Sequence, residues 1–145
     1  MSTNGVSDTV AHFRKAVCVV WTLPYTCFGL AIGLIGLVAG GSASREGLAI
    51  EFHGRLVGFF LDRFCGKWVS AITFGHTILG RNADTLARCR DHEWVHVRQY
   101  ERWGPFFGPA DLFSSLVVWL QGKDAYRDNH FEREAYGDDT NPNQT

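Results

Sequence analysis

Two histidines four residues apart, with a glutamate directly after the first, stand in the segment RDHEWVHVRQYERW at residues 90–103. Residues four apart lie on the same face of a helix. His92 and His96 can therefore bind one metal ion, and histidine nitrogens bind zinc at about 2.0 to 2.1 Å. Glu93 is rotated by roughly 100° from His92, so its carboxylate lies beside such an ion and can accept a proton from water. The pattern indicates a zinc-dependent hydrolytic site.

The helix that carries this pattern has recognisable ends. It is predicted over residues 83–103. Asn82 or Asp84 can cap its start, and the Gly104-Pro105 pair stops it. The motif therefore lies in the second half of a long helix.

One face of this helix begins apolar and turns polar. The stripe starts at Leu86 and Cys89 and continues at helical spacing onto His92, Glu93, His96, Gln99, Tyr100 and Trp103. Burying two imidazoles, a carboxylate and an amide without partners costs several kcal/mol. A bound cation or an open cleft removes this conflict. The alternative is a solvated helix face on which the histidines merely lie near neighbouring acids and arginines.

A third ligand has few candidates. A histidine at position 102 would mark one broad class of HExxH enzymes, but the residue there is Arg102. The other common arrangement takes a glutamate from a helix further along the chain. Glu132 suits that role, in a helix that begins at NHFEREAY. Glu132 also lies three residues after Asn129, where a capping-box glutamate belongs, so it is either a ligand or a helix cap.

Two chain reversals must bring Glu132 back to the histidines. Residues 108–122 are predicted to form a short apolar helix capped near Asp111, and residues 124–129 a turn.

The motifs HEWVHVRQ and FEREA resemble the zincin-like metallopeptidases of the gluzincin group. The resemblance is greatest to membrane-associated endopeptidases of the CAAX-prenyl-protease and heat-shock type and to small HExxHxxQ domains, and it covers roughly residues 71–137. It implies Zn²⁺ as cofactor, with His92, His96 and Glu132 as ligands. It also implies Glu93 as the catalytic general base and a peptide or protein as substrate.

Other residues match this group in part. A glutamate followed three residues later by alanine supplies its third ligand, which corresponds to Glu132 and Ala135. The group often has an aspartate next, whereas this chain has Tyr136, a possible hydrogen-bond donor to an oxyanion. Gln99 is interpreted as orienting a ligand or lining the cleft, with ordinary helix packing as the alternative. His76 is interpreted as a structural or substrate-side residue rather than a ligand.

Strands are predicted in front of the metal-binding helix. LAIEFHG at residues 48–54 alternates apolar and polar residues, and AITFGHTILG at 71–80 is rich in β-branched and aromatic ones. The second resembles the edge strand over the zincin active-site helix, where an extended substrate can pair with the backbone. Residues 55–68 are either strand continuation or a short helix.

The N-terminal third contains no charged residue between Lys15 and Arg45. Residues 16–41 are long and apolar enough to span a bilayer, although Pro24 interrupts them. Small-xxx-small spacing, which allows close helix contact in lipid, occurs at Gly29, Gly33, Gly36 and Gly40. The interpretations are a membrane anchor or helical hairpin, a buried helix pair of a soluble domain, and a cleaved signal peptide. The first predicts a membrane location, with a soluble or secreted form as the alternative.

Composition sets the remaining limits. The chain has 145 residues and a net charge of −1, so we expect one metal-binding domain and no nucleic-acid partner. Its four cysteines are scattered, which predicts core-type thiols rather than disulfides or a zinc ribbon.

The predicted organisation has four parts: a polar N-terminus at 1–15, an apolar membrane segment or hairpin at 16–44, a zincin-like domain at 45–137 and a disordered tail at 138–145. The fold class is α+β, a minimal zincin-like domain with an HExxH helix, a short β-hairpin or edge strand and an N-terminal apolar helix. The predicted function is zinc-dependent peptide hydrolysis. The alternative is a non-catalytic small membrane protein with a structural metal site or no metal.

Overall fold

The computed structural model describes residues 3–139, with side chains for residue 10 and residues 12–137. The elements in chain order are α1 (Thr3–Val38), β1 (Ser42–Glu46), β2 (Ala49–His53), α2 (Arg55–Phe60), β3 (Ala71–Phe74), β4 (Thr77–Gly80), α3 (Ala83–Trp103), α4 (Phe107–Leu120) and α5 (His130–Asp139). A π-helical turn at Leu61–Cys65 extends α2, and a 3₁₀ turn at Gly104–Phe106 joins α3 to α4.

Four strands form one mixed sheet in the order β1-β2-β4-β3. The outer pairs β1/β2 and β3/β4 are antiparallel, and the central pair β2/β4 is parallel. The combination of this sheet with helices confirms the predicted α+β class. β3 is left at an edge of the sheet.

The sheet is packed between α1 and α3. Towards α3 the buried apolar cluster consists of Ala49, Ala71, Ile78, Leu86 and Val97. Towards α1 it consists of Phe52, Val57, Leu61 and Leu79. Because successive strand residues point to opposite faces, β2 and β4 contribute buried residues to both clusters. α3, which carries the histidines, is thereby packed directly against β3.

The segment 71–80 is a hairpin, not the single strand that its composition suggested. The chain reverses at Gly75, whose φ of 59° lies in the left-handed region that favours glycine. The predicted strand at 48–54 is present as β2. Its partner β1 was not predicted, because SASRE has no apolar alternation and all five of its residues are exposed.

The helix ends agree with the sequence prediction at α3 and differ at α4. Asn82 caps α3, since its Oδ1 accepts a hydrogen bond from the backbone N–H of Thr85 at 2.8 Å. α4 begins at Phe107 without a side-chain cap, so the predicted cap at Asp111 is wrong. The segment 55–68 contains α2 and the π-helical turn, which agrees with the short-helix alternative.

The apolar N-terminal segment is one helix, so the hairpin and helix-pair interpretations are wrong. α1 continues through Pro24 and begins at Thr3, within the region 1–15 that was predicted as a separate polar part. Within the described residues, His12–Val38 is long and apolar enough to cross a membrane, with a mean hydropathy of 1.8.

The remaining predictions concern the tail and the cysteines. The predicted tail at 138–145 overlaps α5, which ends at Asp139, and residues 140–145 lie outside the described part of the chain. All four cysteines are free. Cys27 is exposed on α1, so the prediction of a core-type thiol is wrong for this residue.

Glycines on α1 face the protein's own sheet rather than another membrane helix. A Cβ atom on Gly29 would lie 2.8 Å from Cβ of Thr77, and one on Gly33 would overlap the ring of Phe52. A Cβ atom on Gly36 would lie 2.7 Å from Cγ2 of Val57 on α2. The small-xxx-small spacing therefore allows close packing of α1 on the sheet and α2.

Gly33→Val is expected to destabilise the fold by about 1 to 3 kcal/mol, because the added side chain enters the space of the Phe52 ring. The melting temperature should fall by at least about 3 °C. Ala31→Val, on the exposed face of the same helix, is the matched control and should change it little. Equal melting temperatures for the two variants in thermal unfolding would contradict this packing.

Candidate metal centre

Three ionisable side chains from two helices meet at one point. His92 and His96 stand one turn apart on α3, and Glu132 on α5 faces them. His92 Nε2 lies 3.2 Å from His96 Nε2 and 3.3 Å from Glu132 Oε2, while His96 Nε2 lies 3.5 Å from Glu132 Oε1. A tetrahedral ion with bonds of about 2.0 to 2.1 Å separates its ligand atoms by about 3.3 to 3.4 Å. The spacing of the three donor groups therefore fits one zinc ion.

The polarity of the site also fits a cation. All three side chains are buried, and Oε2 of Glu132 has no hydrogen-bond partner. Leaving a buried acceptor unsatisfied costs about 1 to 3 kcal/mol, and more for a charged group. A cation beside this oxygen would remove that penalty. Two imidazoles and one carboxylate form a donor set that zinc binds.

Glu132 faces the histidines instead of capping its own helix. In a capping box its carboxylate would accept a hydrogen bond from the backbone N–H of Asn129. That N–H donates instead to the carbonyl oxygen of Tyr126, at 3.2 Å. The cap is made by Asn129 itself, whose Oδ1 accepts from the N–H of Phe131 at 2.9 Å. The carboxylate of Glu132 is thus available to a metal ion.

Asn129 also fixes the start of α5 against α4. It is buried, and its Nδ2 donates to Oδ1 of Asp111 at 2.8 Å and to Oγ of Ser115 at 2.7 Å. Burial raises the pKa of Asp111, and the hydrogen bond from Asn129 opposes that rise. The residue predicted as a helix cap therefore helps to position the helix that carries Glu132.

Gln99 determines which nitrogen of His96 carries the proton. Its Nε2 donates to the carbonyl oxygen of Phe131 and to Oε2 of Glu134, both at 3.0 Å. A carbonyl and a carboxylate only accept, so Oε1 of the amide must point the other way, towards Nδ1 of His96 at 2.8 Å. Nδ1 then donates, and the lone pair of His96 Nε2 faces the centre.

The hydrogen bonds of Gln99 continue to the protein surface through Glu134, whose role was not predicted, and Arg102. Burial raises the pKa of Glu134, but hydrogen bonds from Gln99 and Arg102 outweigh this effect and lower it. Glu134 is therefore an ionised acceptor for Gln99. Gln99 links the helix of the two histidines to the helix of Glu132.

Gln99→Leu is expected to weaken zinc binding by about 10- to 100-fold, because His96 loses the acceptor that orients its ring. Leucine has a similar volume, which limits the change in packing. Arg102→Gln alters only the exposed end of the network and should leave the affinity within about twofold. Competition with a chromophoric chelator measures the zinc affinity of both variants. An unchanged affinity in Gln99→Leu would mean that Gln99 serves helix packing alone.

Glu93 is held by a residue that sequence reasoning missed. Thr73 on β3 donates from Oγ1 to Oε2 of Glu93 at 2.7 Å. Burial raises the pKa of Glu93 more than the neighbouring imidazoles and the Thr73 hydroxyl lower it. Glu93 is therefore a stronger proton acceptor than an exposed glutamate, as a general base requires. Strand alternation was the available signal, since Ala71 and Thr73 are the buried residues of β3.

An open cleft of about 1180 Å³ gives access to these groups. One wall is β3, the edge strand, and the opposite wall comes from α4, α5 and the turn between them. His92, Glu93, His96 and Glu132 all line it. A molecule entering the cleft would meet the edge of β3 together with the three side chains that could hold a metal ion.

Two tyrosines stand at the same cleft. Tyr136 lies on α5, four residues after Glu132, with its ring centroid 4.8 Å from that of His92. Tyr126, which sequence reasoning missed, lies in a turn where Asp124 accepts its backbone N–H at 2.9 Å. Burial, and then the negative charge of Glu132, raises the pKa of Tyr126, so this phenol keeps its proton.

His76 lies elsewhere. It is buried, with Nδ1 2.9 Å from Oγ1 of Thr22 and Nε2 2.9 Å from Oε1 of Glu101. It therefore bridges α1 and α3, and it is not one of the residues that line the cleft. This placement agrees with the structural half of its interpretation and not with the substrate-side half.

Cys89 lines the cleft three residues before His92. Burial, and then the charge of Glu93, raises the pKa of its thiol to about 12. Its Sγ donates to the carbonyl oxygen of Thr85 at 3.1 Å. Among the described residues, the ligand atoms that lie close enough together to hold one ion belong to His92, His96 and Glu132, and Cys89 is not in this group.

No protein-family model matches this chain, and neither a curated protein nor a solved structure matches it. The function of the cleft therefore rests on its residues and their geometry, and the resemblance of the two motifs to gluzincins stays a prediction.

Proposed function

We propose that this protein is a membrane-associated, zinc-dependent peptidase built on a minimal zincin-like domain. The observation that carries the proposal is the meeting of His92, His96 and Glu132 at ligand spacing in an open cleft that Glu93 also lines. Structural zinc sites usually have four protein ligands, whereas catalytic sites have three and an open position. The cluster of three donors, together with the open cleft, supports a catalytic role.

The chemistry follows from the positions of the chain's own residues. His92, His96 and Glu132 would hold a zinc ion, which would supply Lewis-acid chemistry towards water and a carbonyl group. Thr73 holds Oε2 of Glu93, which leaves Oε1 to accept the proton from that water. The raised pKa of Glu93 allows it to keep the proton and then pass it to the leaving amine. Tyr136 is the proposed hydrogen-bond donor for the oxyanion, whereas the Tyr126 side chain hydrogen-bonds with Glu132 and Tyr136.

β3 supplies a site for an extended peptide. Arg81 donates its backbone N–H to the carbonyl oxygen of Ser70, so the Ser70/Arg81 pair of the β3/β4 ladder is hydrogen-bonded. Hydrogen-bonded pairs alternate with non-bonded ones in an antiparallel ladder. The backbone N–H and C=O groups of Ala71 and Thr73 therefore point to the free edge. A peptide pairing there would pass directly over α3.

Membrane association is proposed from the exposed apolar side chains of α1 and α4. The stretch His12–Val38 is apolar enough to enter lipid, and only 17% of its most apolar window is buried. Large apolar side chains are also exposed along α4, at Leu112, Phe113, Leu116, Trp119 and Leu120. Exposed apolar surface on this scale indicates an interaction site.

Two substitutions test the two halves of this function separately. His96→Ala tests the metal site by zinc content, and Glu93→Gln tests the chemistry by peptide hydrolysis at unchanged zinc content. If wild type and Glu93→Gln both bind zinc and neither hydrolyses a peptide, the protein is the non-catalytic alternative with a structural metal site.

A further inference from the structure

Three exposed apolar side chains stand at the mouth of the cleft. Phe64 is 71% exposed, Trp68 66% and Leu112 72%, and all three line the cleft. They come from the π-helical turn, the loop that follows it and α4. We call these three residues the apolar rim. Large apolar side chains from separate elements around one opening indicate a surface that is covered in use.

The apolar rim continues onto α1. Phe64 also lines a groove of about 230 Å³ that has only apolar residues, including Ile35 of α1 and Phe59 of α2. On the other side of the cleft, Phe28 of α1 packs edge-on against Phe74, which lines the cleft. Ile35, Phe59 and Phe28 are all more than half exposed, so the exposed apolar surface at Phe64 continues onto α1 and α2.

α1 is packed against the domain over much of the length that a crossing helix would need. Thr22 contacts His76, Gly29 faces β4 and Gly36 faces α2, so about 20 Å of the helix is covered on one side. The part of the apolar stretch that precedes this packed region, residues 12–21, extends only about 15 Å. That is half of the roughly 30 Å hydrocarbon core. A crossing helix would therefore carry the sheet into the hydrocarbon.

Positive charges flank the apolar rim. Arg63 and Lys67 are exposed neighbours of Phe64 and Trp68 in the chain, and the exposed Arg127 lines the cleft. Of the nearby acids, Asp62 is paired with Arg81, Asp111 is bound by Asn129, and Asp124 accepts backbone hydrogen bonds in its own turn. Apolar side chains that enter the acyl region, with cations at the level of the phosphates, are the combination that binds an anionic leaflet.

We propose that the protein docks on one leaflet of an anionic bilayer through the apolar rim and the outward face of α1, without crossing it. The cleft then opens at the lipid–water interface. This inference rests on the proposed function of the cleft and specifies its substrates, which would be polypeptide segments held at a membrane surface.

Vesicle binding of the full-length protein tests the docking surface. Binding of a Phe64→Ser/Trp68→Ser variant to phosphatidylglycerol-containing vesicles should fall at least about tenfold. Wild type should bind these vesicles more tightly than vesicles of phosphatidylcholine alone. Leu48→Ser, an exposed apolar position in the β1–β2 turn, is the control and should bind like wild type. Equal binding by wild type and the double variant would overturn the proposal.

Zinc content, measured in the same preparations, separates this inference from the proposed function. Normal zinc content with lost vesicle binding supports docking and leaves the metal site intact, whereas a protein without zinc that still binds vesicles would contradict only the proposed chemistry. If wild type is a dimer, the double variant is a monomer and both bind vesicles equally, the apolar rim is a contact with a second copy of the chain. That result would overturn lipid docking.

Topology is tested with epitope tags at both ends of the chain, in sealed membrane vesicles from expressing cells. Docking on one leaflet leaves both tags on the same side, so external protease should cut both or neither. Cleavage of one tag and protection of the other would show a crossing helix and overturn the proposal.

Discussion

Replacing His96 with alanine is expected to abolish stoichiometric zinc binding. Wild type should purify with about one zinc ion per chain, because His92, His96 and Glu132 present three donor atoms at the spacing of a tetrahedral site. Without His96 two donors remain. Loss of a direct ligand should weaken binding at least as much as the 10- to 100-fold loss typical of its supporting residues, so we expect a decrease of more than about 100-fold. Metal analysis after dialysis measures the zinc content per chain.

Two further variants make this result specific. Glu132→Gln keeps the size of the side chain but removes the charge, and it should lose zinc as His96→Ala does. His130→Ala removes an exposed histidine only two residues from Glu132 and should keep zinc. Stoichiometric zinc that survives in both His96→Ala and Glu132→Gln would exclude this cluster as the metal site.

Replacing Glu93 with glutamine is expected to leave zinc bound and to slow hydrolysis by orders of magnitude. The amide is almost the same size, can still accept a hydrogen bond from Thr73 and removes only the ability to take up a proton. General-base catalysis contributes about 10²- to 10⁴-fold to a rate, so turnover should fall by that factor. A quenched-fluorescence peptide library, measured with and without a zinc chelator, gives the rate and its dependence on metal.

The matched control for this variant is Glu46→Gln, which makes the same change on the exposed strand β1. It should keep both zinc and activity. If wild type and Glu93→Gln bind zinc equally and neither hydrolyses any peptide at the surface of vesicles or in solution, the metal has a structural role. His96→Ala and Glu93→Gln therefore distinguish a site without metal, a structural metal site and an enzyme.

The helix α3, which carries His92 and His96, is the part of the fold that the sequence predicted best. Its start at Asn82, its end before Gly104 and the four-residue spacing of His92 and His96 all follow from interactions within a few residues along the chain. Capping and helical periodicity are local, so no knowledge of the rest of the molecule is needed for them.

The strands and the glycines show where local patterns were insufficient. AITFGHTILG has the composition of one strand, and the reversal at Gly75 became evident only from its pairing. The glycines of α1 have a spacing that suits helix contact in lipid, yet they face Phe52 and Thr77 of the sheet. Small residues permit close approach whatever the partner is, and the spacing alone does not identify that partner.

The amino-acid sequence by itself determined which groups could do the chemistry: two histidines on one helix face, a glutamate beside them and Glu132 as the candidate third ligand. Only the tertiary structure decided that Glu132 faces those histidines, because its position depends on contacts between residues far apart in the chain. Asn129 caps α5 in its place, and Gln99 links α5 to α3. Thr73 reaches Glu93 from another element for the same reason. Ligand types and their spacing along a helix are local properties, whereas a metal site requires a common point in space that packing alone creates.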